Sequence, residues 1–240
     1  MKQAVVALVL ASLVGIGRPL AADFPPPLQS APVPPPIYSP ASPSKTWNGF
    51  YLGVNGGYGF GSSQWSLNGT PTNVFSPNGA LVGGTLGFNL AISEVLVGFE
   101  GDADWAGLDG SVGNCAFNTA GAVAACETKN NFLGTARLRV GYQYDRMLPY
   151  VTGGAAFGNI SAGLNPPATF QSALRAGWVA GAGLEYALTD NWSAKAEYLY
   201  ASFGNASSCT TIANCGTAAG AAVALTENLL RAGVNYRFSW

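Results

Sequence analysis

The residues able to do chemistry in this chain are spaced by even numbers. Glu100, Asp102 and Asp104 form one set, Arg137 and Arg139 a second, Lys195 and Glu197 a third, and Arg231 and Arg237 a fourth. Glu185 precedes the third set by ten residues. Clustered carboxylates can serve as a general acid and base. Here, bases recur on the segments next to the acids, which points to charge pairing instead of catalysis. The chain has no histidine. That removes a Ser-His-Asp triad and imidazole ligation of haem or zinc. The run Gly56-Gly57-Tyr58-Gly59-Phe60-Gly61 lacks the spacing and the Lys-Ser/Thr of a phosphate-binding loop. No enzyme activity, cofactor or metal is expected.

Four cysteines complete the reactive inventory: Cys115, Cys126, Cys209 and Cys215. Each pair falls in a segment rich in Asn, Thr, Ala and Gly. In an exported protein they favour disulfides, and the short separations favour the local pairs Cys115–Cys126 and Cys209–Cys215. Four cysteines allow three connectivities, so a staple between the two segments stays open, as do unpaired thiols.

An even spacing has meaning only on strands, where residues two apart share a face. The last eleven residues show the pattern most clearly. Leu230, Ala232, Val234, Tyr236, Phe238 and Trp240 alternate with Arg231, Gly233, Asn235, Arg237 and Ser239. Seven further alternating segments precede them, near 49–61, 79–90, 95–107, 131–142, 148–158, 175–188 and 192–202. The apolar face carries Phe50, Leu52, Val54, Tyr58 and Phe60 on the first, and Phe132, Leu138, Val140 and Tyr142 on the fourth. On the fifth, Val151, Ala155 and Phe157 are assigned to it. The links near 90–94, 143–147 and 189–191 are short. Those near 62–78, 108–130, 159–174 and 203–227 are long.

This is the signature of an all-β fold, an eight-stranded antiparallel up-and-down transmembrane β-barrel. Such barrels have short periplasmic turns, long extracellular loops and an apolar outer band closed by aromatic girdles. Of the residues, 48% are hydrophobic and only 10% are charged, against ~25% charged in soluble domains. No segment of the body of the chain is long and apolar enough for a membrane helix. A soluble lipocalin-like barrel is the competing architecture, with the apolar face turned inward. The export signal and the terminal aromatic argue against it.

The first 22 residues have the form of a signal peptide. Lys2 precedes an apolar run from Ala4 to Ile16, and small residues follow at Ala21-Ala22. Residues 23–46 hold nine of the fifteen prolines and are expected to form a disordered proline-rich periplasmic linker. The barrel is assigned to 47–240. Loss of Lys2 and Arg18 leaves nine basic and twelve acidic residues, a net charge of −3. No nucleic-acid partner is expected on that balance.

Charge on the lipid face costs ~2–4 kcal/mol at the midplane. Glu100, Asp102, Asp104, Arg137, Arg139, Glu185, Lys195, Glu197, Arg231 and Arg237 are therefore assigned to the lumen. Counting from the turn at Asp190 sets Glu185 about opposite Lys195. A salt-bridge network filling a narrow lumen is favoured over an ion path, because eight strands leave an interior that side chains nearly fill.

With the strands placed, the segment Trp47-Asn48-Gly49-Phe50-Tyr51-Leu52-Gly53-Val54-Asn55-Gly56-Gly57-Tyr58-Gly59 resembles the first strand of the alphaproteobacterial outer-membrane immunogenic proteins, small porin-family surface antigens. Val97-Gly98-Phe99-Glu100-Gly101-Asp102, Leu148-Pro149-Tyr150-Val151-Thr152-Gly153-Gly154, Gly181-Ala182-Gly183-Leu184-Glu185-Tyr186 and Val234-Asn235-Tyr236-Arg237-Phe238 extend the likeness over about residues 47 to 240. The resemblance implies an outer-membrane barrel, a part in envelope structure and surface antigenicity. In some members it implies weak porin activity or haemin binding. Haemin binding is not carried over to a chain without histidine. Tyr236, Phe238 and Trp240 resemble the terminal signal read by the barrel-assembly machinery. The partners expected on this basis are that machinery and outer-membrane lipid with lipopolysaccharide. An extracellular ligand is left unspecified. A surface binding protein or adhesin acting through stapled loops is the alternative.

Overall fold

Alternating side chains force one face of each strand into hydrocarbon and the other inward, and curling the sheet satisfies both faces at once. The computed structural model describes residues 47–67, 70–71, 74–117, 123–165, 169–207 and 222–238. Its strands are β1 (Gly49–Leu67), the two-residue β2 (Thr70–Pro71), β3 (Asn78–Ile92), β4 (Val95–Phe117), β5 (Val123–Tyr142), β6 (Met147–Asn165), β7 (Thr169–Ala187), β8 (Trp192–Ser207) and β9 (Ala222–Arg237). All neighbours are antiparallel, in chain order, and β9 returns to pair with β1 from Tyr51↔Arg237 to Ser66↔Ala222. Eight long strands thus close a barrel and leave no open edge. β2 only extends a hairpin against the tip of β1. The signal-like segment and the proline-rich stretch, residues 1–46, lie outside the described residues.

Exposure follows the expected parity. Phe99 is 54% exposed and its neighbour Glu100 is 1% exposed. Val140 is 47% exposed, and Arg139 is fully buried. Val151 and Phe157 point outward on β6, as assigned. Aromatic side chains mark two levels on the outside. Phe50, Phe88, Tyr142, Tyr186, Trp192 and Tyr236 stand near the short turns, and Tyr58, Trp105, Phe132, Trp178 and Tyr198 stand higher. Above the second level Ser62, Asp109, Ser111, Thr226 and Asn228 take the outward positions. The spanning part of β9 is therefore 229–237, nine residues. At ~3.4 Å per residue and a ~40° tilt these cover about 23 Å, close to the ~25 Å apolar band. Residues 222–228 lie beyond this band, at the end of the barrel away from the short turns, which is the extracellular end in barrels with short periplasmic turns.

The strands run well past the expected ends. The links expected to be long shrink because β1, β4, β5, β6, β7, β8 and β9 all continue above the girdle. Two physical reasons hide these extensions in the sequence. Their outward face meets water, so it carries no apolar mark. The ladders also carry β-bulges, between Trp105 and Leu108, Asn130 and Leu133, and Ser202 and Asn205. On β5 the bulge reverses parity. Leu133, Thr135, Arg137 and Arg139 are buried below it, and Asn130, Thr128, Cys126 and Ala124 above it. The short connections fall at 93–94, 143–146 and 188–191. Ser93 and Asp145 hold positive φ there.

The lumen is layered. Trp47, Leu96, Leu148 and Ala187 form an apolar floor at the periplasmic end. The charged residues lie above it. A third layer, rich in leucine, includes Leu108, Leu133, Leu199, Leu229 and Phe203. Trp65, Phe75, Cys126, Leu164 and Val223 pack near the extracellular end.

Candidate functional site

The charged layer is built by alternate residues of five strands. β4 supplies Glu100, Asp102 and Asp104, β5 Arg137 and Arg139, β7 Glu185, β8 Lys195 and Glu197, and β9 Arg231. Register sets Glu100 directly opposite Arg137 and Glu197 opposite Arg231. All of these side chains are buried.

Arg137 sits at the centre. Its Nη2 donates to Glu100 Oε1 and, at 2.6 Å, to Asp102 Oδ2, while Nη1 reaches Glu197 Oε2 at 3.1 Å. The carboxylates of Glu100, Asp102 and Glu197 converge closely enough to suit a metal ion, but this guanidinium already contacts all three. Arg231 ties Asp104 at 2.6 Å, Asp102 at 3.3 Å and Glu197. Lys195 Nζ lies 3.1 Å from Glu100 and 3.7 Å from Glu197. Arg139 joins Glu185 at 2.7 Å and Glu100 at 3.4 Å. The layer thus holds five carboxylates against four cations in one connected set. A buried charge needs partners of this kind to remain ionised.

Neutral groups complete the shell. The hydroxyls of Thr85 and Thr135 donate to Asp102 at 2.8 and 2.7 Å. Ser193 Oγ and, at 2.9 Å, Asn235 Nδ2 donate to Glu185 Oε1. Tyr51 donates to Glu100 at 2.6 Å and Tyr150 to Glu197 at 3.2 Å. The two tyrosine rings also flank Arg139, whose guanidinium carbon lies 4.0 Å from the Tyr150 centroid and 5.8 Å from that of Tyr51. Each ring leans over a glycine on the adjoining strand. A Cβ on Gly87 would come within 2.2 Å of Tyr51 Cζ, and one on Gly183 within 2.5 Å of Tyr150 Cζ. Glycine is required at both places for the rings to lie flat enough to reach the arginine.

Nine of the ten assigned lumen residues therefore meet. Arg237 does not join them. It lies over the Trp47 ring at 4.7 Å, at the floor, and makes no ion pair among the described residues. Glu185 and Lys195 are opposite in register, yet each takes another partner. Tyr236 and Phe238 are partly exposed on the outer face, with rings 5.2 Å apart, and Trp240 lies outside the described residues. Cys126 is buried and is not a free thiol. The side chain of Cys115 and all of Cys209 and Cys215 lie outside the described residues. Sequence reasoning missed Tyr51, Tyr150, Thr85, Thr135, Ser193 and Asn235. Their inward parity is the available signal; charge alone does not point to them.

The family model of the outer membrane protein beta-barrel domain matches residues 37–238. The 25 kDa outer-membrane immunogenic protein of Brucella abortus biovar 1 (strain 9-941) is 32% identical over 213 residues, covering 88% of this chain and 87% of its own length. The chain belongs to the outer-membrane immunogenic proteins of alphaproteobacteria. The 22 kDa outer membrane protein of Rhizobium leguminosarum bv. viciae is 29% identical over 167 residues, covering 69% of this chain and 68% of its own. Among solved structures, Neisserial surface protein A aligns with a TM-score of 0.45 and 16% identity, over 80% of this chain and 98% of its own. This immunogenic-protein barrel is a non-enzymatic component of the Gram-negative outer membrane. Its apolar outer band and its buried ion pairs are the two faces of one alternating pattern.

Proposed function

We propose that the protein is a closed, rigid wall element of the outer membrane that contributes to envelope structure and displays an antigenic extracellular surface, with at most narrow conductance. The observation carrying this reading is the layered lumen. Ion pairs saturate the middle, and apolar side chains lie below and above them. A hydrated ion crossing it would have to break several buried pairs and pass two apolar layers, each unfavourable to charge. Reconstitution into planar bilayers is the test. The expected record is flat, or holds only brief small openings. Large, stable single-channel steps would overturn the reading.

Residues 1–22 are proposed to direct export and 23–46 to form a periplasmic linker. The Tyr236, Phe238 and Trp240 pattern is proposed as the signal recognised by the barrel-assembly machinery, and lipopolysaccharide with outer-membrane lipid as the surroundings of the finished barrel. A second reading makes the extracellular extensions a binding surface, stiffened by Cys115–Cys126 and Cys209–Cys215 pairing. The burial of Cys126 among Trp65, Phe75, Ala162 and Leu164 favours it, because this packing holds the top of β5 against the wall. Replacing Cys115 and Cys209 by serine tests it. Lost cell binding with intact membrane insertion supports this reading, and unchanged binding counts against it.

A further inference from the structure

The extracellular end of the lumen holds a carboxyl group that the ion-pair layer does not use. Glu227 is fully buried on the part of β9 that stands above the membrane. Its Oε1 accepts the Asn130 amide at 2.8 Å, and its Oε2 has no hydrogen-bond partner among the described residues. Asn130 belongs to β5. In the closed circle of eight long strands β5 stands four places from β9 in either direction, on the opposite wall. The contact therefore spans the lumen. A second tie runs beside it, where Thr128 of β5 meets Ser63 at 3.1 Å and Trp65 Nε1 at 3.0 Å, both on β1.

Among the described residues no cation pairs with Glu227 to balance it. Leu225 and Leu229 flank it on its own strand, and Ala201 and Gly61 lie opposite on β8 and β1. Leu199 and Phe203 of β8, Leu108 of β4 and Ile160 of β6 line the same region and do not titrate. Lys129 and Glu127 of β5 pair with each other, at 2.9 Å, on the opposite face of the strand from Asn130 and Thr128. Arg175 of β7 is a buried base of the extracellular half, and Arg231, four residues along β9, belongs with Asp104 and Glu197 to the charged layer. Among the described residues neither Lys129 nor Arg231 makes an ion pair with Glu227, and the Asn130 amide is the group that acts on its carboxyl.

We propose that Glu227 is a proton-binding site and that, with Asn130, it forms a proton-operated latch across the extracellular mouth of the barrel. With the proton bound, the carboxyl is neutral in its apolar pocket and still accepts the Asn130 amide, so the β5 and β9 walls are tied. Loss of the proton leaves an unpaired carboxylate among leucines. Water must then enter to solvate it, and the tie gives way. Burial pushes the Glu227 carboxyl up to about 7, offset in part by the Asn130 hydrogen bond. The latch accordingly changes state near neutrality, closed on the acid side and loosened on the alkaline side.

The test is hydrogen exchange of the full chain refolded in detergent micelles, followed by mass spectrometry of peptides covering 123–130 and 222–228. Rates are corrected for the intrinsic effect of pH. Between pH 5.5 and 8.5 the wild type is expected to lose tenfold or more of its protection in both segments, with 229–237 unchanged. Glu227→Gln keeps a neutral group and is expected to stay protected throughout. Asn130→Ala is expected to exchange fast at both pH values. Superimposable profiles for wild type and E227Q would overturn the latch, as would wild-type protection in N130A. A direct titration of the Glu227 side-chain carboxyl by carbon-13 NMR needs no variant. A midpoint near 7 supports the site, and a midpoint below 5.5 refutes it.

Discussion

Removing the central guanidinium is the sharpest trial of the lumen network. Arg137→Met keeps an unbranched apolar stem but deletes one cation. Arg137 makes three ion pairs, to Glu100, Asp102 and Glu197, with its own side chain wholly inaccessible. The substitution would leave five carboxylates facing three cations, two charges in excess. Breaking one exposed pair costs ~0–1 kcal/mol. Stripping one partner from a buried pair costs ~3–5 kcal/mol, since the remaining charge cannot return to water. Arg231, Arg139 and Lys195 stay in contact with the same three carboxylates, so the loss is expected at the lower end, about 3 kcal/mol. Urea titration of the barrel in lipid vesicles measures it, with tryptophan emission and the heat-dependent gel shift as independent signals. Glu100→Gln in the same chain removes the carboxylate directly opposite and part of the surplus charge. The double variant should then recover ~1–3 kcal/mol relative to the sum of the single ones. A loss below 1 kcal/mol for R137M, or strict additivity in the cycle, would show that water reaches the layer and screens it. The closed-lumen argument would fall with that result.

Gly87→Ala should cost ~1–3 kcal/mol, because its Cβ would overlap the Tyr51 ring and push the hydroxyl away from Glu100; in a Tyr51→Ala background the same change should be nearly neutral by urea titration. Val54→Arg, on the exposed face of β1 midway between Phe50 and Tyr58, should lose ~2–4 kcal/mol in vesicles, and a loss below 0.5 kcal/mol would contradict the lipid-facing assignment. Glu227 should make stability fall as pH rises. Its folded value of about 7 exceeds the ordinary 4.5, so the folded state holds the proton longer than the unfolded one. Between pH 4.5 and 7 the barrel should lose about 3 kcal/mol that Glu227→Gln does not lose; equal slopes for the two proteins would rule this out.

The eight long strands were legible because their membrane halves obey a single rule. A residue such as Leu138 or Val140 must meet hydrocarbon, so its neighbours Arg137 and Arg139 must not. The extracellular halves escaped notice because water lifts that constraint. Thr226 and Asn228 are as acceptable on the outer face as any apolar residue, and the bulge before Leu133 shifts the alternation by one. Glu227 was lost with them, although counting back by twos from Arg231 through Leu229 reaches it. Arg237 lies on the inner face but at the floor, outside the ion-pair layer, because parity fixes a residue's face and says nothing about its height.

Two kinds of information are separated by this protein. Parity is local: it follows from the pleat of a single strand, and the sequence alone set which side chains face lipid and which face inward. The order of the strands followed as well, since each hairpin joins neighbours. Partnership across the lumen is not local. Arg139 finds Glu185, Lys195 finds Glu100, Arg231 finds Asp104 and Asn130 finds Glu227 only after the sheet curls and β9 pairs with β1. Those distances depend on curvature, tilt and register summed around the whole circle, which no single strand encodes.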